Sequence, residues 1–267
     1  MIKSKPVALV FSGSDPTGGA GLQADVLTLA QLNCHPLTVV TSITSQDTSR
    51  VHSVSPVNPK LIREQAKVLL EDIAIDVIKI GMIPNIDALQ EIMLVLRKFP
   101  SKPVVLDPVL SSGGGYTFGS KLLVEKIVKD LLPRCLVVTP NTNEIIALSG
   151  LNHEVLSPVH LNNKASELIE CGVGFVLLTG THADRKDVKN SLFDKAGLVD
   201  SWVWPRLMNE YHGSGCTLAS AIAAFIANGS SVSEAVGEAQ QFTWKSLETG
   251  FGIGNGQLIP NRLRGLE

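Results

Sequence analysis

The chain reads as an α/β protein: a three-layer sandwich in which a mostly parallel central sheet carries helices on both faces. Three observations predict it. Short apolar, β-branched runs alternate with longer stretches of helical spacing, the runs are continuously apolar rather than alternating, and the loops that leave them are rich in glycine and small polar residues. A strand apolar on both sides must be covered on both sides, which calls for a helical layer above and below. With 267 residues, 44% of them hydrophobic, the chain can fill one large core and is read as a single domain over residues 1–267.

The elements follow in order. Strands are expected at 7–11, 38–43, 77–80, 104–106, 136–139 and 175–178. Between the first two, Leu22, Val26, Leu29 and Ala30 mark one face of a helix, and Ile62, Ala66, Leu69, Leu70 and Ile73 mark the next. Residues 191–193 and 198–203 flank Asp194, Lys195, Ala196 and Gly197, as a hairpin would. Two helices, 216–227 and 232–247, close the chain, the second capped by Ser231 with Glu234 three residues on.

Composition narrows the partners. A formal charge of -2 offers no electrostatic ground for nucleic acid or an anionic membrane, so a small-molecule ligand is expected. No stretch reaches the roughly 18 apolar residues of a membrane span, and the run at 7–11 is too short for a signal segment. Cys34, Cys135, Cys171 and Cys216 are scattered with no CxxC pair, which argues against a zinc ribbon or a disulfide scaffold and for a reducing cytoplasm.

Chemistry concentrates in the loops after the strands, where open parallel sheets bind ligands. His212, Gly213, Ser214, Gly215, Cys216 and Thr217 run straight into a helix, whose bared amides and positive dipole end make an anion hole. Cys216 at that helix start is expected to favour thiolate and to serve as a base. The loop from Ser12 to Gly21 has phosphate-loop glycines at Gly13 and Gly18, yet Gly19 stands where a P-loop needs lysine, and the GxGxxG order is missing. Its glycines therefore admit a ligand ring close to the backbone. Asp107 ends a strand, where a hard cation can be held beside a triphosphate. Asn141 and Glu144 have the spacing of a capping box and, in the company of Asp107, of a second magnesium position. Together these features suit phosphoryl transfer to a hydroxyl; no HExxH, GxSxG or paired histidines support a hydrolase or zinc enzyme.

These residues resemble the hydroxymethylpyrimidine and phosphomethylpyrimidine kinases of thiamine biosynthesis, members of the ribokinase-like superfamily, along 13–25, 79–82, 107–109, 139–144 and 212–217. Most of that superfamily carries aspartate where this chain has Cys216; the pyrimidine kinases and a few pyridoxal kinases carry cysteine. The resemblance implies ATP as co-substrate, Mg²⁺, a pyrimidine substrate, a homodimer and two successive phosphorylations. It implies Cys216 as base, with Gly213, Ser214 and Gly215 amides steadying the phosphoryl group. Gln46 is expected to read the aminopyrimidine edge, with Gly13, Asp25, Met82 and Val109 lining its pocket. Asp107, Asn141 and Glu144 are expected near magnesium and phosphate, and Thr179 and Gly180 at the nucleotide. Two positions depart from the family. Thr179, Gly180, Thr181, His182 replaces Lys-Gly-Gly-His, and the 110–115 loop lacks lysine, so both changes remove positive charge. A pyridoxal-type kinase of the same fold and a non-catalytic pyrimidine-binding regulator are the alternatives.

Overall fold

The computed structural model describes residues 5–111, 115–150, 158–180 and 186–263. The glycines of the expected lid at 113 and 114, and Thr181 and His182, lie outside the described residues. Among the described residues nine strands form one sheet in the order β3-β2-β1-β4-β5-β6-β7-β8-β9. Its parallel centre comprises β1 (Val7–Ser14), β2 (His35–Gln46), β4 (Val77–Ile80), β5 (Val104–Leu106), β6 (Val137–Val138) and β7 (Phe175–Leu178). Antiparallel strands finish both edges: β3 (Val51–Pro56) beside β2, and the hairpin β8 (Asp187–Asp194) and β9 (Gly197–Pro205) beside β7.

Period-two alternation divides the core into two layers. Leu9, Phe11, Ile78, Ile80, Leu106, Val138 and Val176 face α2 (Pro59–Asp72), α3 (Ile86–Lys98) and α6 (Pro158–Glu170). Ala8, Val10, Val77, Val105, Val137 and Leu177 face the other way, onto α1 (Gly21–Gln31), α7 (Ser214–Ala227) and α8 (Val232–Glu248). Fully buried Ala219, Ala221, Ala223 and Ala224 give α7 a slim surface, which lets it lie close under the middle of the sheet. Two short helices, α4 (Lys121–Lys126) and α5 (Thr142–Leu148), complete the set.

The expected strands are all present, and the hairpin extends further than expected at both ends. Three details differ. The edge strand β3 was not anticipated, because Val51 and Val54 stand among exposed polar residues. Helix α7 starts at Ser214, two residues before the expected start, because Gly213 serves as a left-handed N-cap at φ 82°. Of the expected α1 face, Leu29 is buried and Leu22 packs partly buried against the core, whereas Val26 and Ala30 do not join them and Ala24, Asp25 and Thr28 are buried instead. That rotation puts small or polar side chains against α7 and has a consequence for the site.

Candidate active site

Strand order reverses on either side of β1, because the chain passes from β1 to β2 in one direction and returns to β4 on the other. Loops leaving β1 and β4 therefore diverge and open a crevice at the carboxyl ends. A cavity of about 630 Å³ occupies it. Gly13, Gln46, Met82, Val109, Asp107, Asn141, Glu144, Thr179, Gly213, Ser214, Gly215 and Cys216 all line this one space, although they come from loops spread along the chain.

Its two ends differ. At one end Gly13, Met82, Val109, Val51 and Phe118 line an apolar slot beside Gln46. A Cβ on Gly13 would fall 2.5 Å from Met82 Cε and 2.7 Å from Ser42 Oγ, so a larger residue would have to displace both side-chain ends from the slot. At the other end the wall carries Thr179, Asn190, Gln240 and the stacked rings of Trp204 and Trp244, whose centroids are 6.1 Å apart. Gln240 Oε1 accepts from Asn190 Nδ2 at 2.8 Å and from Trp204 Nε1 at 3.1 Å, which fixes that wall.

Between the ends lies the N-terminus of α7. The amides of Ser214, Gly215 and Cys216 belong to its first turn, where no intrahelical acceptor exists, and Thr217 N makes the first helical bond to Gly213 O at 3.0 Å. A Cβ at Gly213 would collide with the Gly19 carbonyl oxygen, so the two glycine loops touch backbone to backbone. Buried Arg262 clamps them together, donating to Gly19 O, Gly213 O and Thr217 Oγ1. His212 Nε2 lies 2.9 Å from Asp15 Oδ2, and Asp15 also accepts from Thr17 and Ala20 amides. None of these braces stood out in the sequence. A late arginine and a loop aspartate look like surface residues until the fold brings them together.

Asp107 is buried beside this helix start: a Cβ on Gly215 would sit 3.5 Å from its Oδ1 and 3.7 Å from its Oδ2. Burial raises its pKa above the ordinary carboxylate range; Lys79 opposes that rise, Asp25 adds to it, and a hydrogen bond from the Cys216 thiol opposes it. Glu144 is pushed up to about 8, by burial first and then by the charge of Asp107. Asp107 Oδ2 is enclosed without a hydrogen-bond partner among the described residues. Two buried carboxylates that resist ionising together, one with an orphaned oxygen, fit a hard divalent cation. Among the described residues no cluster of three or more His, Cys, Asp or Glu side chains forms, so such an ion would need further ligands from phosphate or water.

Asn141 and Glu144 do form a capping box at α5: Asn141 Oδ1 accepts from the Asn143 and Glu144 amides at 2.9 and 3.0 Å, and Glu144 Oε2 accepts from Asn141 N at 2.9 Å. With its oxygen engaged, what Asn141 can offer the cavity is its Nδ2 donor, which suits a phosphate oxygen better than a cation.

Three expectations need correction. Cys216 is not poised as a thiolate: burial, reinforced by the Asp107 charge, pushes its thiol up to about 12, while Lys79 pulls the other way. Asp25 does not line the cavity; it lies fully buried below, its Oδ1 accepting from Lys79 Nζ at 2.8 Å and Ser220 Oγ at 2.7 Å. Gly180 stands behind the wall, its amide donating to Asn190 Oδ1 at 3.0 Å, and only Thr179 of that pair reaches the cavity.

A helix start with bared amides, two buried carboxylates and an apolar slot in one switch-point crevice define a small-molecule phosphotransferase. The phosphomethylpyrimidine kinase family profile matches residues 15–261. The hydroxymethylpyrimidine/phosphomethylpyrimidine kinase of Bacillus subtilis (strain 168) is 32% identical over 251 residues, covering 93% of this chain and 92% of the relative. Among solved structures, the pyridoxal kinase of Staphylococcus aureus in complex with pyridoxal superposes with a TM-score of 0.89 at 28% identity, over 97% of this chain and 94% of that one. The phosphomethylpyrimidine kinase of Clostridium difficile 630 gives 0.76 at 33% identity, over 90% and 98%. The chain belongs to the phosphomethylpyrimidine kinase family, with a ribokinase-like fold.

Proposed function

We propose that the protein transfers the γ-phosphoryl group of ATP to the hydroxymethyl group of 4-amino-5-hydroxymethyl-2-methylpyrimidine, and then phosphorylates the resulting monophosphate, in thiamine biosynthesis. The observation that carries this is the meeting of Cys216 and Asp107 at the N-terminus of α7, in the same cavity as the apolar slot. Met82 and Val109 sandwich the pyrimidine, and Gln46 pairs with its aminopyrimidine edge, offering donor and acceptor together. The hydroxymethyl oxygen then points at Cys216, whose thiol passes its own proton to the hydrogen-bonded Asp107 and takes the hydroxyl proton as the oxygen bonds to the γ-phosphorus and the bond to the ADP oxygen breaks. Gly213, Ser214 and Gly215 amides hold the transferred phosphoryl oxygens; losing one such donor costs about 2.7 to 4 kcal/mol of transition-state stabilisation. A magnesium ion held by Asp107 and Glu144 would neutralise phosphate charge there. Thr179 and the Nδ2 of Asn141 bind nucleotide phosphate oxygens.

The likeness to pyridoxal kinases favours a second reading, phosphorylation of pyridoxal in the same slot. ATP turnover measured side by side with the hydroxymethylpyrimidine, its monophosphate and pyridoxal decides between them: preference for a pyrimidine is expected, and clear preference for pyridoxal overturns the assignment. The reading includes a cytoplasmic homodimer. The free thiols of Cys34, Cys135, Cys171 and Cys216 support a reducing compartment, and sedimentation equilibrium tests the dimer.

A further inference from the structure

The floor under the cavity contains an ion pair that the chemistry above has not used. Lys79 lies on β4 with its side chain on the same sheet face as Val77, where the alternation calls for an apolar residue against α7. It is fully buried, which is rare for lysine, and its Nζ donates to Asp25 Oδ1 at 2.8 Å. Asp25 is held in turn by Ser220, one helical turn beyond Cys216 on the same face of α7. Lys79 Nζ reaches up to the cavity floor, since a Cβ on Gly81 would sit 2.8 Å from it and 2.8 Å from Ser12 Oγ, a wall residue. A buried pair of this kind is weak evidence for stability, because desolvating both charges offsets most of their attraction. Its arrangement is directional: the aspartate lies toward α1 and the second turn of α7, and the ammonium lies under the point where Asp107, Cys216 and a transferred phosphoryl group meet.

We propose that the Lys79–Asp25 pair is a buried dipole with its positive end under the reaction centre, and that Lys79 is a positioning residue that offsets the negative charge gathered there during transfer. This rests on the kinase reading above. The electrostatics agree in order as well as sign: at both Asp107 and Cys216 the influence of Lys79 exceeds the opposing influence of Asp25. The fixed charge contributes most when phosphoryl oxygens and Asp107 are crowded together, so its effect belongs in kcat and not in substrate affinity.

The test removes the dipole while leaving no unpaired charge. The double variant Lys79→Met with Asp25→Asn is expected to keep its melting temperature within a few degrees and its KM for the pyrimidine within about 2-fold, while kcat falls at least about 10-fold. A folded double variant with kcat within about 2-fold of the parent overturns the proposal and leaves the pair a structural element. If that variant does not fold, Lys79→Gln with Asp25→Asn, whose amides can bond each other, is read by the same two outcomes. Failure of the kinase reading itself is visible separately, as absence of pyrimidine phosphorylation by the unaltered protein.

Discussion

Cys216 and Glu144 carry the chemistry at the smallest scale, and each makes a prediction. Cys216→Ala removes a partly enclosed small side chain whose Sγ faces Asp107, so the fold and pyrimidine binding should survive. Turnover should drop by about 10²-fold or more, the usual worth of a positioned base. Full activity in that variant would take the sulfur out of the mechanism. Glu144 has the opposite character, a carboxyl that the fold prefers neutral. Its ionisation lies near 4.5 in the unfolded chain and near 8 in the folded one. Between those values the native state holds a proton that the unfolded chain has released, so stability must fall as pH rises through that window. Asp107, raised as well, adds to the same slope. In EDTA the melting temperature should therefore decline by several degrees between about pH 5 and pH 8, and Glu144→Gln should flatten much of that decline. A melting temperature that climbs over the same range would contradict the arrangement.

At the scale of elements, the decisive contact is between two turns, the one after β1 and the one before α7. Their backbones meet at Gly19 and Gly213, and Arg262 binds both carbonyls from a third segment. Arg262→Met keeps bulk and loses the clamp, leaving the buried Gly19 carbonyl short of its donor while Gly213 O keeps its bonds from Thr217, a change worth about 1–3 kcal/mol. Denaturant titration should register that loss, and kcat should fall with it because the amides of Ser214 and Gly215 lose their fixed aim. An Arg262→Met protein with unchanged kcat would show that the anion hole is held by α7 alone. Helix α8 offers contrast: its capping box at Ser231 and Glu234 formed as the spacing called for, since both partners are local.

Across the molecule, legibility followed locality. Strands β1, β5 and β7 could be read because each is apolar on both faces, and β4 because three of its four residues are apolar; β3 could not, because Val51 and Val54 stand among exposed residues at an edge. The loops at 12–21, 107–109, 141–144 and 212–217 announced a site through residue type, and the fold gathered them around one cavity. Asp25, expected in the pyrimidine pocket from the family resemblance alone, lies instead buried beneath the cavity floor. Its true partner, Lys79, was concealed inside an apolar strand, and a lysine at an inward position of β4 was the available signal. The Cys216 thiolate failed for a related reason: the helix field was visible in the sequence, whereas its burial and the neighbouring carboxylate belong to the folded state.

The three tryptophans of the chain are Trp202, Trp204 and Trp244, on β9 and α8. Trp204 and Trp244 form the wall opposite the Gln46 slot, and Trp202 packs near Gly237 on α8. Intrinsic emission is thereby confined to one half of the binding space. Adding ADP should quench or shift it, while the pyrimidine alone should leave the spectrum nearly unchanged, so the order in which the two compounds bind can be followed by stopped-flow optics without any attached dye.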